Sequence, residues 1–211
     1  MNPPTHVGKV VAPQIEGYWE ERYQKGEDAW DKGEPSPALV DFLATIPGDF
    51  SRGRVLVPGC GRGHDVRAWA AAGFETVGMD IAPTAIREAR SLAEARAFPH
   101  APHFVQESLF DLSAPWCGFF DVVFEHTLFC AIEPGRRGDY LRGLLGVLKP
   151  AGRFVAVFYN IQPEEGPPFG ITREELVERF LPHFDLVAES VPRSWEQRQG
   201  KELFWHLTRK T

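Results

Sequence analysis

The sequence predicts an α/β protein built on a doubly wound, seven-stranded, mostly parallel sheet. Short apolar segments alternate with helical patterns from Arg54 to about Phe158, as expected for parallel strands covered on both faces by helices. A glycine-rich turn follows the first apolar segment, where such sheets bind ligands. Two extended segments without a helix between them end the chain, which predicts a hairpin and an antiparallel C-terminal strand.

Local patterns justify the individual elements. Ser36 followed by Pro37 indicates a helix start, as does Pro83, Gly73 indicates a helix end, and Thr172 begins a capping box. The predicted helices cover residues 18–23, 37–46, 64–72, 83–97, 134–149 and 172–181. The predicted strands, which are apolar and bounded by turn residues, cover residues 55–57, 76–80, 103–107, 120–125, 153–159, 185–192 and 203–209.

Length and composition exclude several classes of protein. The 211 residues predict a single domain, residues 1–211, in which residues 1–35 form an N-terminal arm. The 23 basic and 29 acidic residues give a net charge of −6, which argues against a nucleic-acid partner. No run of about 18 apolar residues and no apolar leader is present, so we expect no membrane partner and a cytoplasmic location. Three cysteines without a CxxC pair predict neither a disulfide framework nor a metal site.

The glycine-rich turn, Gly59 to Gly63, lies between the first predicted strand and the helix after it. Glycines there permit a tight turn and close approach of a ligand to the backbone. His64 interrupts the GxGxxG pattern of dinucleotide sites, which makes a nicotinamide dehydrogenase a remote alternative. Asp80 ends the second predicted strand and can accept hydrogen bonds from both ribose hydroxyls of an adenosine.

The ends of the next three strands complete the predicted site. The loop 107–111 can offer a backbone N–H group and an apolar surface to adenine. Glu125 and His126 end the fourth strand and would face the crevice at the carboxyl ends of the strands. Tyr159 ends the fifth strand, and Phe169 lies in the proline-rich loop after it, so we expect both to line a substrate pocket.

Four runs of residues are typical of one enzyme family. They are Trp30-Asp31-Lys32-Gly33, Leu56-Val57-Pro58-Gly59-Cys60-Gly61, Phe129-Cys130-Ala131-Ile132-Glu133-Pro134 and Gly166-Pro167-Pro168-Phe169. With them, the chain from about Trp19 onward resembles class I S-adenosylmethionine-dependent methyltransferases, specifically the thiopurine S-methyltransferase family. Gly59 and the run 129–134 resemble the thiol and halide methyltransferase branch, because the thiopurine branch usually has leucine at the position of Gly59.

The resemblance implies S-adenosylmethionine as the cofactor and assigns its contacts. It places Trp19, Tyr23 and Trp30 over the cofactor as a lid, Gly59 and Gly61 beside the methionine moiety, Asp80 and Ile81 at the ribose, Ser108 and Leu109 at the adenine, and Glu125 and His126 beside the methyl group. Two residues depart from the pattern. Tyr23 stands where the thiol and halide branch usually has tryptophan, and His126 stands where the two branches have arginine or tyrosine.

The implied reaction is an in-line displacement at carbon. Aromatic faces attract a sulfonium cation by roughly 0.5–2 kcal/mol each, so the lid suits this cofactor. A thiol with a pKa near 8.5 is partly ionised at neutral pH, and halides and thiocyanate need no base. We therefore predict that no strong general base is essential. His126, beside Glu125, is the best candidate to attract an anionic nucleophile or to accept a thiol proton.

These inferences predict a monomeric enzyme that methylates a small-molecule acceptor, namely a thiol, a sulfide-like anion or a halide. One alternative is an enzyme of the same fold that methylates thiopurines or metalloids such as tellurite or selenium. Another is a non-enzymatic module that binds the cofactor. The aromatic lid argues against the non-enzymatic module, because a scaffold needs no cover over the methyl group.

Overall fold

The computed structural model describes residues 16–46, 48, 50, 52–112, 114–163 and 165–211, and all predicted helices and strands are present in it. The strands are β1 Arg54–Pro58, β2 Glu75–Asp80, β3 His103–Gln106, β4 Phe120–His126, β5 Leu148–Tyr159, β6 Phe184–Ser190 and β7 Glu202–Arg209. The α-helices are α1 Glu16–Lys25, α2 Pro37–Ala44, α3 His64–Ala71, α4 Pro83–Glu94, α5 Arg137–Val147 and α6 Arg173–Phe180. Residues 1–15 of the predicted arm lie outside the described residues. Within the described ranges, no helix has the length and apolar character needed to cross a membrane.

The seven strands form one sheet in the order β3-β2-β1-β4-β5-β7-β6. Strand β1 pairs in parallel with β2 on one side and with β4 on the other, and β4 pairs in parallel with β5. Strand β7 is antiparallel to both β5 and β6. The predicted fold class is therefore confirmed. The strand order reverses at β1 and β4, so the carboxyl ends of these two strands flank the crevice where doubly wound folds bind ligands.

Helices cover both faces of the sheet, which explains the continuous apolar runs of its central strands. In β1, Val55 and Val57 pack with Trp69 of α3 on one face. Leu56 points to the other face and packs with Tyr140 of α5. All but Val57 are fully buried, and Val57 is 3% exposed. The strand centres therefore supply stability, and the strand ends are available for function.

The start of β5 differs most from the sequence-based expectation. The sequence predicts a helix up to Lys149 and a strand from Arg153, but β5 already begins at Leu148. Leu148 pairs with Phe120 at the start of β4, and the pairing then shifts register before Arg153 meets Val122. The helix therefore ends, and strand pairing begins, earlier in the chain than the local sequence indicates.

The two predicted helix caps have different outcomes. The Thr172 side chain accepts a hydrogen bond from the Glu175 N–H group at 3.1 Å, so the cap of α6 is confirmed. The Ser36 side chain makes no capping hydrogen bond at α2. Instead, the Ser36 N–H group donates to Asp65 Oδ1 at 2.7 Å, which fastens the start of α2 to α3.

Candidate active site

A cavity of about 410 Å³ lies at the carboxyl ends of the strands, a size that suits a small-molecule site. Its wall comes from the ends of β1, β2 and β5, from the loops after β3 and β4, and from the segment around α1. Nine of the residues predicted from the sequence line it: Trp19, Tyr23, Trp30, Gly59, Asp80, Ile81, Ser108, Leu109 and Tyr159. Gly61, Glu125, His126 and Phe169 do not line it.

The glycine turn after β1 brings the main chain to the cavity. Gly59 lines the cavity with a φ of +60°, and a β-carbon there would lie 2.9 Å from Leu128 Cδ1. Gly61 has a φ of +51°, and its β-carbon would lie 2.8 Å from the Tyr23 hydroxyl oxygen. Glycine adopts such backbone conformations without steric cost, and at both positions a neighbour occupies the space of a side chain. The turn therefore requires glycine at both positions.

Asp80, the last residue of β2, is the buried acid of the cavity. Its Oδ2 accepts a hydrogen bond from the Gly61 N–H group at 2.8 Å, and its Oδ1 accepts one from the Ala82 N–H group at 2.9 Å. Burial raises the pKa of Asp80, although these backbone hydrogen bonds favour its ionised form. A carboxylate offers about four lone-pair sites, so both oxygens keep the capacity to accept further hydrogen bonds, such as those of ribose hydroxyls.

The loop after β3 forms the wall next to Asp80. The Glu107 N–H group donates to the Asp80 carbonyl oxygen at 3.2 Å, which extends the contact between β2 and β3. Ser108 Oγ then accepts a hydrogen bond from the Phe110 N–H group at 3.2 Å and turns the chain. Ser108 and Leu109 therefore line the cavity with one polar and one apolar side chain.

Trp19, Tyr23 and Trp30 form an aromatic lid on the cavity. The Trp30 ring lies edge-to-face on the other two, with ring centroids 5.3 Å from Trp19 and 5.7 Å from Tyr23. Trp30 Nε1 also lies 3.4 Å from the Tyr23 hydroxyl, to which it donates. Three interlocked rings present an ordered aromatic surface, which is the kind of surface that attracts a cation.

Charged side chains fasten the segment of the aromatic lid to the glycine turn, to α3 and to α4. Arg62 of the glycine turn pairs with Asp31 at 2.8 Å, and His64 Nε2 lies 3.1 Å from the same carboxylate. Burial acts to raise the pKa of Asp31, but the hydrogen bonds from His64 and Arg62 outweigh it and hold this pKa well below its usual range. At α1, Glu20 accepts hydrogen bonds from the Thr84 N–H and hydroxyl groups at 2.9 and 2.6 Å.

The connection between β6 and β7 adds a part of the wall that the sequence reasoning missed. Gln197 and Arg198, in a 3₁₀ turn at Glu196–Arg198, line the cavity. The Arg198 guanidinium carbon lies 5.0 Å from the centroid of the Tyr159 ring. The local signal was weak, because this segment carries no motif and only combines charged residues with Trp195 between two predicted strands.

Glu125, which the resemblance places beside the methyl group, does not line the cavity. It is 1% exposed, its Oε1 accepts from the Phe129 N–H group at 2.7 Å, and its Oε2 accepts from the Tyr140 hydroxyl at 2.9 Å. Burial raises the pKa of Glu125 to about 7, against the opposing effect of these hydrogen bonds. The side chain therefore braces the turn after β4 from inside the core and does not face the cavity.

His126 also lies away from the cavity, on the other face of β4 from Glu125. Side chains alternate along a strand, so two consecutive residues cannot both point into one crevice. His126 Nδ1 lies 2.8 Å from Asp65 Oδ2, and the ring stacks on Trp195 with centroids 5.6 Å apart. The predicted acceptor-side histidine instead joins β4 to α3 and to the β6–β7 connection.

The loop after β5 lines the cavity, but not with Phe169, the residue that the sequence predicts there. Pro167 and Pro168 contact the cavity, whereas Phe169 does not. The Phe169 N–H group donates to the Cys130 carbonyl oxygen at 2.6 Å, which joins this loop to the turn after β4. The structure thus assigns the wall to the two prolines and gives Phe169 a role in fixing the loop.

The charged groups of the cavity are mostly cationic. Within the described residues, the cationic side chains of the wall are Arg22, Lys32 and Arg198, and the carboxylates are Asp80 and Glu107. Glu107 accepts a hydrogen bond from Trp116 Nε1 at 2.8 Å.

Burial raises the pKa of the Cys130 thiol to about 12, so this cysteine is neutral. No group of three or more His, Cys, Asp or Glu residues in the described ranges could hold a metal ion.

The profile of the thiopurine S-methyltransferase family matches residues 14–207. This chain belongs to that family. The resemblance based on sequence motifs is confirmed, the protein is a methyltransferase, and its cofactor is S-adenosylmethionine. The cavity fits this cofactor, because Asp80 can accept from a ribose, the turn at Gly59 admits a ligand close to the backbone, and the aromatic lid suits a sulfonium.

Plant enzymes are among the similar proteins. The methyltransferase is 34% identical over 208 residues to thiocyanate methyltransferase 1 of Brassica oleracea, covering 95% of this chain and 88% of the relative. It is 33% identical over 177 residues to probable thiol methyltransferase 2 of Arabidopsis thaliana, covering 82% and 76%. These relatives support the branch indicated by Gly59.

A solved structure shows the same fold with a different acceptor. The 1,6-didemethyltoxoflavin-N1-methyltransferase of Burkholderia thailandensis, with bound 1,6-didemethyltoxoflavin and S-adenosylhomocysteine, superposes with a TM-score of 0.72. It is 21% identical, and the match covers 100% of this chain and 94% of that one. The similarity therefore concerns the fold, which accommodates different acceptors.

Proposed function

We propose that this methyltransferase methylates a small anionic nucleophile, namely a thiolate, hydrosulfide, thiocyanate or a halide. The observation that carries the proposal is the charge of the cavity wall. Within the described residues it combines three cationic side chains with two carboxylates, and both carboxylates already accept hydrogen bonds from the protein. The similarity to enzymes named for thiocyanate and thiols supports the same class of acceptor.

The arrangement of titratable groups favours an acceptor that arrives ionised. Glu125 and His126, the two residues expected beside the methyl group, are held by partners away from the cavity. Cys130 lines the cavity but is neutral, because burial raises its pKa to about 12. Thiocyanate and halides carry no proton, and hydrosulfide and acidic thiols are largely ionised near neutral pH, so none of them depends on a base.

Within this proposal the cofactor contacts remain those implied by the family. The aromatic lid and Gly59 hold the methionine and sulfonium end, Asp80 and Ile81 bind the ribose, and Ser108 and Leu109 bind the adenine. Gly61 acts through Asp80, whose Oδ2 it orients. Tyr159, Pro167, Pro168 and Arg198 surround the acceptor.

When bound, the cofactor supplies an electrophilic methyl group: the acceptor lone pair forms the new bond to carbon, and the old carbon–sulfur bond leaves its electrons on sulfur. The protein's contribution is to align the acceptor and to exclude water. Apolar and aromatic groups such as Tyr159 and the two prolines remove hydration from an anion, which makes it a stronger nucleophile.

The proposal is tested with the purified chain, S-adenosylmethionine, and a panel of thiocyanate, iodide, hydrosulfide, thiophenol, 6-mercaptopurine and the metalloid oxyanions tellurite and selenite. Methylated products are quantified by mass spectrometry, and cofactor binding is measured by calorimetry. We expect saturable methylation of thiocyanate, iodide or hydrosulfide. Methylation of 6-mercaptopurine alone would replace the proposal with a thiopurine acceptor. Cofactor binding without methylation of any acceptor, metalloid oxyanions included, would favour a non-enzymatic module.

The remaining expectations about partners belong to the same proposal. The net charge of −6 supports an enzyme that acts on small molecules without a nucleic-acid partner. We also expect a cytoplasmic monomer without membrane association. Size-exclusion chromatography with light scattering would test the monomer, since a dimer would elute with twice the mass of 23.7 kDa.

A further inference from the structure

A charged side chain outside the cavity stands in the middle of the glycine turn. Arg62 lies between Gly61 and Gly63, and it does not line the cavity. The glycines let the backbone turn tightly beside a ligand, but that role does not call for an arginine between them. The Arg62 side chain is 23% exposed, so most of it is covered by other parts of the protein.

Three carboxylates from two separate parts of the chain surround the Arg62 guanidinium. Its Nη1 lies 2.5 Å from Asp28 Oδ2 and 2.8 Å from Asp31 Oδ2. Both aspartates belong to the lid segment, residues 26–36 between α1 and α2, which carries one ring of the aromatic lid. The Nε of Arg62 donates to Glu88 Oε2 of α4 at 2.6 Å. Arg62 thus joins the glycine turn, the lid segment and α4.

The lid segment stays next to α4 because the guanidinium lies between their carboxylates. All three carboxylates are within hydrogen-bond distance of one cation and therefore close to one another. Like charges at such separations repel, and the repulsion is strong where solvent is partly excluded. Without Arg62, the attraction between the lid segment and α4 would become a repulsion of Asp28 and Asp31 by Glu88.

The glycine turn also holds the acid at the end of β2. The Gly61 N–H group donates to Asp80 Oδ2 at 2.8 Å, and Arg62 is the next residue. The guanidinium carbon of Arg62 lies 5.4 Å from the centroid of the Tyr23 ring, which belongs to the aromatic lid. One short turn therefore contacts both the acid expected at the ribose and the lid on the opposite side of the cavity.

We propose that Arg62 is a positioning residue that keeps the aromatic lid closed over the cofactor and thereby slows the release of S-adenosylmethionine and S-adenosylhomocysteine; this inference rests on the lid contacts of the proposed function. Arg62 acts through Asp28 and Asp31, which hold the lid segment against the turn. A closed lid must open before a bound molecule leaves, so contacts that hold it closed act mainly on the dissociation rate.

The first experiment measures the binding of S-adenosylhomocysteine by surface plasmon resonance, which gives both rate constants. We expect Arg62→Met to raise the dissociation rate constant about tenfold and to change the association rate constant less than about threefold. Arg62→Lys keeps the charge and should lie between Arg62→Met and the wild type. Arg54→Met is the matched control, because Arg54 begins β1 and pairs with Glu75 away from the lid. It should stay within about twofold of the wild type.

The salt dependence gives a signature that a merely structural arginine would not show. S-adenosylhomocysteine carries one ammonium and one carboxylate group and so no net charge, and salt acts mainly on the contacts of the protein. Sodium acetate supplies no halide, and between about 0.1 and 1 M it shortens the screening length from about 10 to about 3 Å. Dissociation should become faster in the wild type, where attraction is screened, and slower in Arg62→Met, where repulsion is screened.

A second variant tests the repulsion directly. Arg62→Met/Glu88→Gln removes the carboxylate of α4 that would repel the lid segment. We expect this double variant to release S-adenosylhomocysteine more slowly than Arg62→Met does. Equal dissociation rates in the wild type and Arg62→Met would overturn the role of Arg62. So would faster dissociation in Arg62→Met that neither salt nor the Glu88 substitution reduces.

Trp30→Leu separates this inference from the proposed function, because it alters the lid itself. Faster dissociation in Trp30→Leu but not in Arg62→Met would overturn the role of Arg62 and leave the proposed function intact. Unchanged dissociation in Trp30→Leu would remove the lid contacts on which both rest. A wild type whose cofactor release depends on Arg62, but which methylates no acceptor, would refute the proposed function and keep the role of Arg62.

Discussion

The ends of β2 and β4 each carry a buried acid, but the two acids lie in different surroundings. Each strand ends close to an acid that is buried, accepts two hydrogen bonds and has a pKa raised by burial: Asp80 and Glu125. Asp80 receives both hydrogen bonds from backbone N–H groups and lines the cavity. Glu125 receives one from the Phe129 N–H group and one from Tyr140, and it is enclosed by the core.

The path of the chain after each strand explains the difference. After Asp80, the chain proceeds within three residues into α4, and the Ala82 N–H group holds one carboxylate oxygen while the cavity side stays open. After Glu125, Thr127 adopts a φ of 65° and turns the chain back over the strand. The 3₁₀ turn at Phe129–Ala131 then closes on the carboxyl group. An acid at a strand end becomes a ligand site only when the following turn leaves it open.

The largest expected effect concerns the stability contributed around Glu125. Burial raises the pKa of Glu125 to about 7 in the folded chain from the ordinary 4.5 of a glutamate, so the folded state binds more protons between these pH values. The contribution of Glu125 to the free energy of unfolding is therefore fully present below about pH 4.5. It falls as the pH rises toward 7, by up to about 3 kcal/mol. Urea unfolding at about pH 5 and pH 8 measures this loss, and Glu125→Gln should remove it.

The exposed Glu174→Gln on α6 serves as the control for this comparison. Its unfolding free energy should keep the pH dependence of the wild type. A stability difference between Glu125→Gln and the wild type that is the same at both pH values would contradict the assignment of the raised pKa. Cofactor affinity of Glu125→Gln should remain within about threefold, because the group braces the core outside the cavity.

The next effect concerns the cofactor and Asp80. Asp80→Ala removes acceptors for the ribose and leaves the Gly61 and Ala82 N–H groups without their carboxylate. We expect S-adenosylmethionine binding to weaken by about 1–3 kcal/mol, that is about fivefold to more than a hundredfold, in calorimetric titrations. Glu75→Ala, at the exposed start of the same strand, is the control. Unchanged affinity in Asp80→Ala would place the ribose elsewhere.

The smallest effect is predicted for His126. Loss of a general base typically costs about 10²–10⁴ in rate. Because the ring lies against Asp65 and Trp195, His126→Phe keeps the stacking and should lower kcat/KM less than about threefold, with the pH–rate profile unchanged. Steady-state rates between about pH 6 and 9 decide the point. A drop of a hundredfold together with the loss of a titrating limb would restore His126 to catalysis.

Much of the cofactor part of this molecule could be predicted from local sequence. The glycines after β1, the acid at the end of β2 and Ser108 with Leu109 follow their strands directly, and parallel strands bring their carboxyl ends to one edge. Each of these residues lies within about three positions of a strand end. Their place in space therefore depends on the strand order alone, which alternating helices and strands largely dictate.

The acceptor part depended on contacts between distant segments. Arg198 reaches the cavity because β7 inserts between β5 and β6, which carries the β6–β7 connection to the end of β5 and Tyr159. Glu125 and His126 are adjacent in sequence, yet the pleat of β4 and the turn at Thr127 send them to opposite sides and away from the cavity.

By itself, the sequence determined the fold class, the family and the cofactor, because strand periodicity, turn glycines and the acid of β2 act over a few residues. Only the tertiary structure decided which charged groups line the cavity. Side-chain direction and the closing of a turn over a carboxyl group depend on how the surrounding core packs, and the approach of Trp195 to His126 joins segments about 70 residues apart in the chain. Such packing energies are sums over many contacts that no local pattern encodes.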